Sequence, residues 1–237
     1  MKLLLTGTVQ HHHDDRHEAT LKAMRRTRDG LSAEAFLLRF VSPDAYREFC
    51  GRHPQGAGVQ VTGLVRQART PLRDRATGSP LHGAGGNALH EQVLTLEVRE
   101  SRSQEPPADG DLLYAHGMVG LVDKREGLKT SANGLPWLRV RVAYNHYKRP
   151  TEAEGQADYY DLVAFGPLAE GLAGLERGDR FIVDHAIPAT SPYELREAAH
   201  SDGTPVTRRG LELTLKEFTF LPRLRATQRP EPEALPF

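Results

Sequence analysis

The segment Leu135-Pro136-Trp137-Leu138-Arg139-Val140-Arg141-Val142-Ala143-Tyr144 carries the most suggestive chemistry in the chain. An extended strand turns alternate residues to opposite faces. Leu138, Val140 and Val142 then share one face and suit a core, while Trp137, Arg139 and Arg141 share the other. An aromatic ring beside two guanidinium groups makes a poor core and a good surface for bases and phosphates. Stacking contributes roughly 1–3 kcal/mol per base whatever the sequence, and Arg neutralises the backbone. An ordinary solvated strand face, with its Trp packed on a loop, is the plain alternative and stays open here.

Other segments extend the same pattern. In Asp158-Tyr159-Tyr160-Asp161-Leu162-Val163-Ala164-Phe165, Tyr159 and Phe165 share a face and either lengthen the platform or join the core. Tyr144 and Tyr147 open a loop with Lys148 and Arg149, and Tyr193 sits in a later polar stretch ahead of Arg196, Arg208 and Arg209. Aromatic and basic residues interleaved in this way suit single-stranded nucleic acid. The first half has few aromatics but clusters Lys22, Arg25, Arg26 and Arg28, then Arg66, Arg69, Arg73 and Arg75. These read as phosphate contacts without stacking, or as a solvated charged surface.

His11, His12, His13 and His17 raise the question of a metal. Consecutive residues of a strand alternate faces, so at most two converge easily. A polar loop after the first strand is the expectation, with no metal and no cofactor. No Ser/His/Asp pattern, phosphate-binding Gly-rich motif or paired carboxylates in a convincing setting points to an enzyme.

The totals narrow the classes. Lys+Arg and Asp+Glu both number 31 in 237 residues, so any nucleic-acid site is local rather than a property of a basic chain. The one cysteine, Cys50, leaves no intrachain disulfide and no cysteine zinc site, which fits a reducing cytoplasm. No apolar run approaches the roughly 20 residues of a membrane helix. The opening MKLLLTGTV turns polar too soon for a signal peptide and reads as a strand.

One plan of elements occurs twice. In the first half, strands at MKLLLTGTVQ and AEAFLLRFVS precede a short helix begun by Ser42-Pro43, and a further strand lies somewhere within residues 11–30. GVQVTGLVRQ, a long Gly-rich polar loop and HEQVLTLEVRE follow. In the second half, LLYAHGMVGLV, the strand around Trp137 and DYYDLVAF precede a helix begun by Gly166-Pro167. RFIVDHAI, a second long polar loop over 188–210 and a closing strand with Leu211, Leu213 and Leu215 complete it. A helix between strands three and four of five is the order of an OB-fold barrel. A sandwich of short strands is the competing architecture. The expectation is an all-β chain with short helices: an OB-fold domain over residues 1–108, another over 109–224, and a disordered tail over 225–237.

The second half resembles the bacterial single-stranded DNA-binding protein (SSB) family over roughly residues 112–221. The matching stretches are GMVGLV, NGLPWLRVRVAYNHY and YYDLVAFGPLAEGLAGLERGDRFIV. The first half shares the element order, LLLTGTV and GVQVTGLVRQ. The resemblance implies sequence-independent binding of single-stranded DNA in replication, recombination and repair. It implies base stacking at Tyr147, Tyr159, Phe165 and Tyr193, beside Trp137. Two barrels per chain further imply a homodimer, so that four barrels meet, in a cytoplasmic, nucleoid-associated protein. The last residues, Glu231, Glu233, Leu235, Pro236 and Phe237, resemble the acidic, apolar-Pro-Phe tip with which the family recruits partner proteins; the family's run of Asp is reduced here to two Glu. The other class of reading is an OB-fold protein-interaction module with vestigial DNA binding, favoured by zero net charge and the aromatic-poor first half.

Overall fold

Period-two burial shapes the first barrel. Leu3, Leu5 and Val9 of strand β1 (Lys2–His13) are buried, as are Ala19, Leu21 and Ala23 of β2 (Glu18–Thr27) and Phe36 and Leu38 of β3 (Gly30–Arg39). Helix α1 (Pro43–Arg52) follows, then β4 (Gly58–Pro71) and β5 (His90–Ser103). The second barrel repeats this with β6 (Leu113–Thr130), β7 (Pro136–Asn145), β8 (Ala157–Phe165), α2 (Pro167–Ala173), β9 (Arg180–Ala199) and β10 (Pro205–Phe220). These elements come from a computed structural model that describes residues 1–27, 30–105, 113–145 and 157–222, without the side chains of 25–27, 67–69, 92, 94, 113, 190–193, 196, 197 and 209. The domain boundary expected near residue 108 and the tail expected over 225–237 lie outside the described residues.

Each set of five strands closes on itself. β1 pairs antiparallel with β2 and β4, β2 with β3 and β4 with β5, while β3 and β5 run parallel. β6 to β10 repeat the circuit, with the parallel pair between β8 and β10. Both are OB-fold barrels, each with its helix between the third and fourth strands. Tight curvature explains two mid-strand glycines. A Cβ on Gly7 would lie 2.5 Å from the Lys22 carbonyl oxygen, and one on Gly63 only 2.2 Å from that of Glu97. Gly63 also sits where the β4–β5 register shifts, a bulge that bends the strand.

Three expectations about extent are corrected. The strand concealed in residues 11–30 is β2, and β1 continues through His13 to pair with it, so His11, His12 and His13 belong to a strand rather than a loop. The second long polar stretch is mostly a hairpin, in which β9 and β10 pair as far as Ala199 and Pro205. β6 continues past Val122 through charged residues to Thr130. In each case the ladder runs on through mostly polar residues, where hydrogen bonding continues without a regular apolar period to mark it.

β1 also pairs antiparallel with β6, matching Leu3 with Ala115 and Leu4 with Tyr114, and this joins the barrels into one ten-stranded sheet. Their buried apolar residues form one contiguous cluster. At the seam the fully buried Tyr160 donates its hydroxyl to the Val65 carbonyl at 2.7 Å, and Arg66 reaches Asp158 at 3.0 Å and Glu97 at 3.1 Å. A second junction links the β4–β5 loop to the β9–β10 turn. The Asp74 carboxylate accepts from the Ser201 amide at 2.7 Å and hydroxyl at 3.0 Å, and from the Ala76 and Thr77 amides at 2.9 Å. The Ser201 and Thr77 amides hold this carboxyl far below its usual range.

A depressed carboxyl pKa adds stability that is present above the ordinary carboxylate range, about pH 4, and is lost as pH falls below it. Asp74→Asn is therefore expected to lower the melting temperature at pH 7, by a margin that narrows on acidification. Equal melting at pH 7, or a margin that does not narrow at all between pH 7 and pH 2, would contradict the role given to this junction.

Candidate nucleic-acid interface

The β7–β8 register decides which side chains the second barrel shows to solvent. It sets Trp137 opposite Phe165, Arg139 opposite Val163, Arg141 opposite Asp161 and Ala143 opposite Tyr159. Directly opposed residues share a face. The other face holds Leu138, Val140, Val142, Tyr160, Leu162 and Ala164, all fully buried. Tyr159 and Phe165 are 48% and 42% exposed, which resolves their open assignment in favour of the exterior. Phe165 and Tyr159 lie six residues apart, about 20 Å along the strand.

Neighbouring strands complete the face in three rows. One runs Asp123–Arg141–Asp161–Glu212 across β6, β7, β8 and β10. The next runs Glu126–Arg139–Val163–Thr214, and the last Lys129–Trp137–Phe165. The Lys129 ammonium lies 5.4 Å from the Trp137 ring centre, a cation–π contact. Arg139 and Arg141 do lie beside the aromatics, but carboxylates already engage them. Arg141 Nε is 3.2 Å from Asp161, and Arg125 Nε is 3.9 Å from Asp161 and 3.4 Å from Asp123. Arg139 donates to Glu212 and sits 3.6 Å from Glu126. Its Nε is buried without a hydrogen-bond partner among the described residues. Burial pushes the Asp161 carboxyl up, with Arg125 pulling against it, and the Lys129 hydrogen bond holds Glu126 down.

The other residues singled out from the sequence are scattered. Arg66 is an ion-paired seam residue, and Arg73 donates to the Gly78 carbonyl within its own loop at 2.8 Å. Arg208 stands on β10 opposite Tyr193 of β9, which is strand rather than the expected loop. The side chains of Arg25, Arg26, Arg69, Tyr193 and Arg209 lie outside the described residues, as do Tyr147, Lys148, Arg149 and the terminal Glu231, Glu233, Leu235, Pro236 and Phe237. Sequence reasoning missed Asp123, Arg125, Glu126, Lys129 and Glu212. Only the pairing of β6 and β10 with their neighbours brings those charges beside Trp137 and the arginines.

The first barrel presents something different at the matching place. Where the second has Arg139 against Val163, the first pairs Glu18 with Arg39 as an ion pair at 2.8 Å. The adjacent rows are Thr20–Leu37, Lys22–Ala35 and Met24–Ala33, without an aromatic. The histidine strand is structural: His12 Nε2 lies 3.1 Å from the His53 carbonyl and His13 Nε2 lies 2.9 Å from the Thr20 hydroxyl. Among the described residues no group of three or more His, Cys, Asp or Glu could hold a metal ion.

Comparison with known proteins fits this architecture. The wild-type single-stranded DNA-binding protein from Thermus aquaticus superposes with a TM-score of 0.61 at 14% identity, over 95% of this chain and 94% of that one. A deletion mutant of the same protein gives 0.61 at 12% identity, over 96% and 97%. The fold is thus SSB-like across both barrels. No family model and no curated protein matches the chain.

Proposed function

We propose that the chain binds single-stranded DNA without regard to sequence and without catalysing a reaction. The exterior face bearing Trp137, Phe165 and Tyr159 around arginines is the observation that carries this reading. Exposed aromatics at the edges of an arginine-bearing sheet can stack bases and hold phosphates between them. The likeness to the Thermus aquaticus protein supports the reading at the level of fold. Roles in replication, recombination and repair, in the cytoplasm at the nucleoid, follow from it as part of the proposal. Among the described residues no helix is long and apolar enough to cross a membrane. The occupied state of Arg139 and Arg141 favours the second reading, a protein-interaction module with vestigial DNA binding.

The same proposal includes self-association. The outer face of the seam carries a groove of about 710 Å³ lined by Lys2, Leu4, Thr62, Leu64, Tyr114 and His116. Cross-strand pairing builds it from two rows, Thr62–Leu4–Tyr114 and Leu64–Lys2–His116. Half-buried apolar side chains across the pseudo-symmetric seam suit an isologous homodimer. The terminal Phe237 ring beside its carboxylate suits capture by an apolar pocket with a nearby cation, steered by Glu231 and Glu233. Replication and repair proteins are the proposed partners.

Trp137 is the only tryptophan, so its emission reports directly on the proposed face. Oligo-dT is expected to quench it, with an affinity that falls steeply as salt rises. Phe165→Ala should weaken binding by about 1–3 kcal/mol. Duplex DNA bound equally well, or no weakening on that substitution, would count against the assignment. Light scattering at micromolar concentration is expected to give twice the chain mass for the wild type and a monomer for Leu64→Glu; a monomeric wild type refutes the dimer. Deleting Leu235–Phe237 should leave oligo-dT binding intact and abolish capture of replication and repair proteins; undiminished capture would remove the tip from the account.

A further inference from the structure

The carboxylates on the stacking face have no counterpart in a simple phosphate-binding surface. Arg125, Lys129, Arg139 and Arg141 face Asp123, Glu126, Asp161 and Glu212, so four cations meet four carboxylates. The parallel register of β8 and β10 puts Glu212 beside Asp161, and both reach arginines of β7. Resting on the single-stranded DNA reading, we infer that Glu212 and Asp161 are stand-ins for phosphate that hold Arg139 and Arg141 until DNA displaces them, and so set both affinity and its salt dependence.

Three features carry this. First, the geometry is that of ligand recognition: a guanidinium fork presents five N–H donors matched to carboxylate or phosphate alike. The Arg139 donor to Glu212 is used, while its Nε is buried without a partner among the described residues. A backbone phosphodiester offers the same pair of charged oxygens as a carboxylate and can take its place on that fork. Second, the locks are exchangeable. The side chains of Arg139 and Arg141 keep 34% and 32% of their exposure, and partly exposed ion pairs are individually weak. Third, the lock coincides with the aromatics. The matching rows of the first barrel hold the Glu18–Arg39 ion pair and an uncharged Thr20–Leu37 pair, with no aromatic in either. A polyanion meeting this face must therefore trade carboxylate for phosphate, and the bases must supply part of the return. That arrangement discriminates against polyanions that cannot stack, including closed duplex.

The test compares wild type, Glu212→Gln and Glu48→Gln, the last removing the same charge from the exposed surface of α1. Each is titrated with oligo-dT and with inorganic polyphosphate, which has phosphates and no bases. Glu212→Gln is expected to bind both probes roughly 2- to 5-fold tighter. Its oligo-dT affinity should also depend more steeply on salt, by about 0.7 in the log–log slope for each further phosphate neutralised. Glu48→Gln should match wild type. Asp161→Asn provides a second reading of the lock if Glu212→Gln misfolds by circular dichroism. Polyphosphate affinity unchanged in Glu212→Gln, or raised equally in Glu48→Gln, would overturn the inference. Tighter polyphosphate binding with no oligo-dT response in any variant would keep the lock and discard the single-stranded DNA reading.

Discussion

The register between β7 and β8 governs the second barrel. Leu138, Val140 and Val142 face inward opposite Ala164, Leu162 and Tyr160, and their burial pins the pairing. Because side chains alternate with period two, a one-residue slip would turn the whole exterior set into the core. Two arginines and a tryptophan would then be buried, at a cost far above anything local hydrogen bonds return. The hydrophobic interior thereby fixes the geometry of the exterior, and the candidate interface needs no separate organising device.

That rigidity extends across the molecule through the β1–β6 pairing. Tyr160 belongs to the core side of β8 yet closes its hydroxyl on a carbonyl of β4, so the strand that carries Tyr159 and Phe165 is anchored in the other barrel. The Asp74–Ser201 junction ties the barrels a second time at their long arms. Two barrels of the same topology thus share one core while presenting unlike exteriors, aromatic and charge-laced on one, aliphatic and ion-paired on the other. On the proposed reading, the first barrel supplies a platform and the second carries the base-stacking face.

Much of this was readable from the chain, for identifiable reasons. Strong alternation in PWLRVRVAY predicted both the buried row and its exterior complement, and the two Pro-started helices predicted the barrel order. Elements without a regular apolar period were not readable. The β9–β10 arm and the β6 extension are mostly polar ladders, so no such period marks them. The exterior carboxylates escaped notice because Asp123, Glu126 and Glu212 meet Arg139 and Arg141 only through bulged or parallel registers that no local pattern encodes. Whether Tyr159 and Phe165 face in or out was likewise undecidable until the partner strand fixed it.

The central claim is that bases stack on the second barrel and not on the first. Photo-crosslinking to oligo-dT followed by peptide mass spectrometry addresses it directly. The account predicts thymine adducts on Trp137, Tyr159 and Phe165, and none on the β2–β3 face around Lys22, Ala33 and Ala35. Adducts concentrated on that first-barrel face, with Trp137 and Phe165 unmodified, would contradict it.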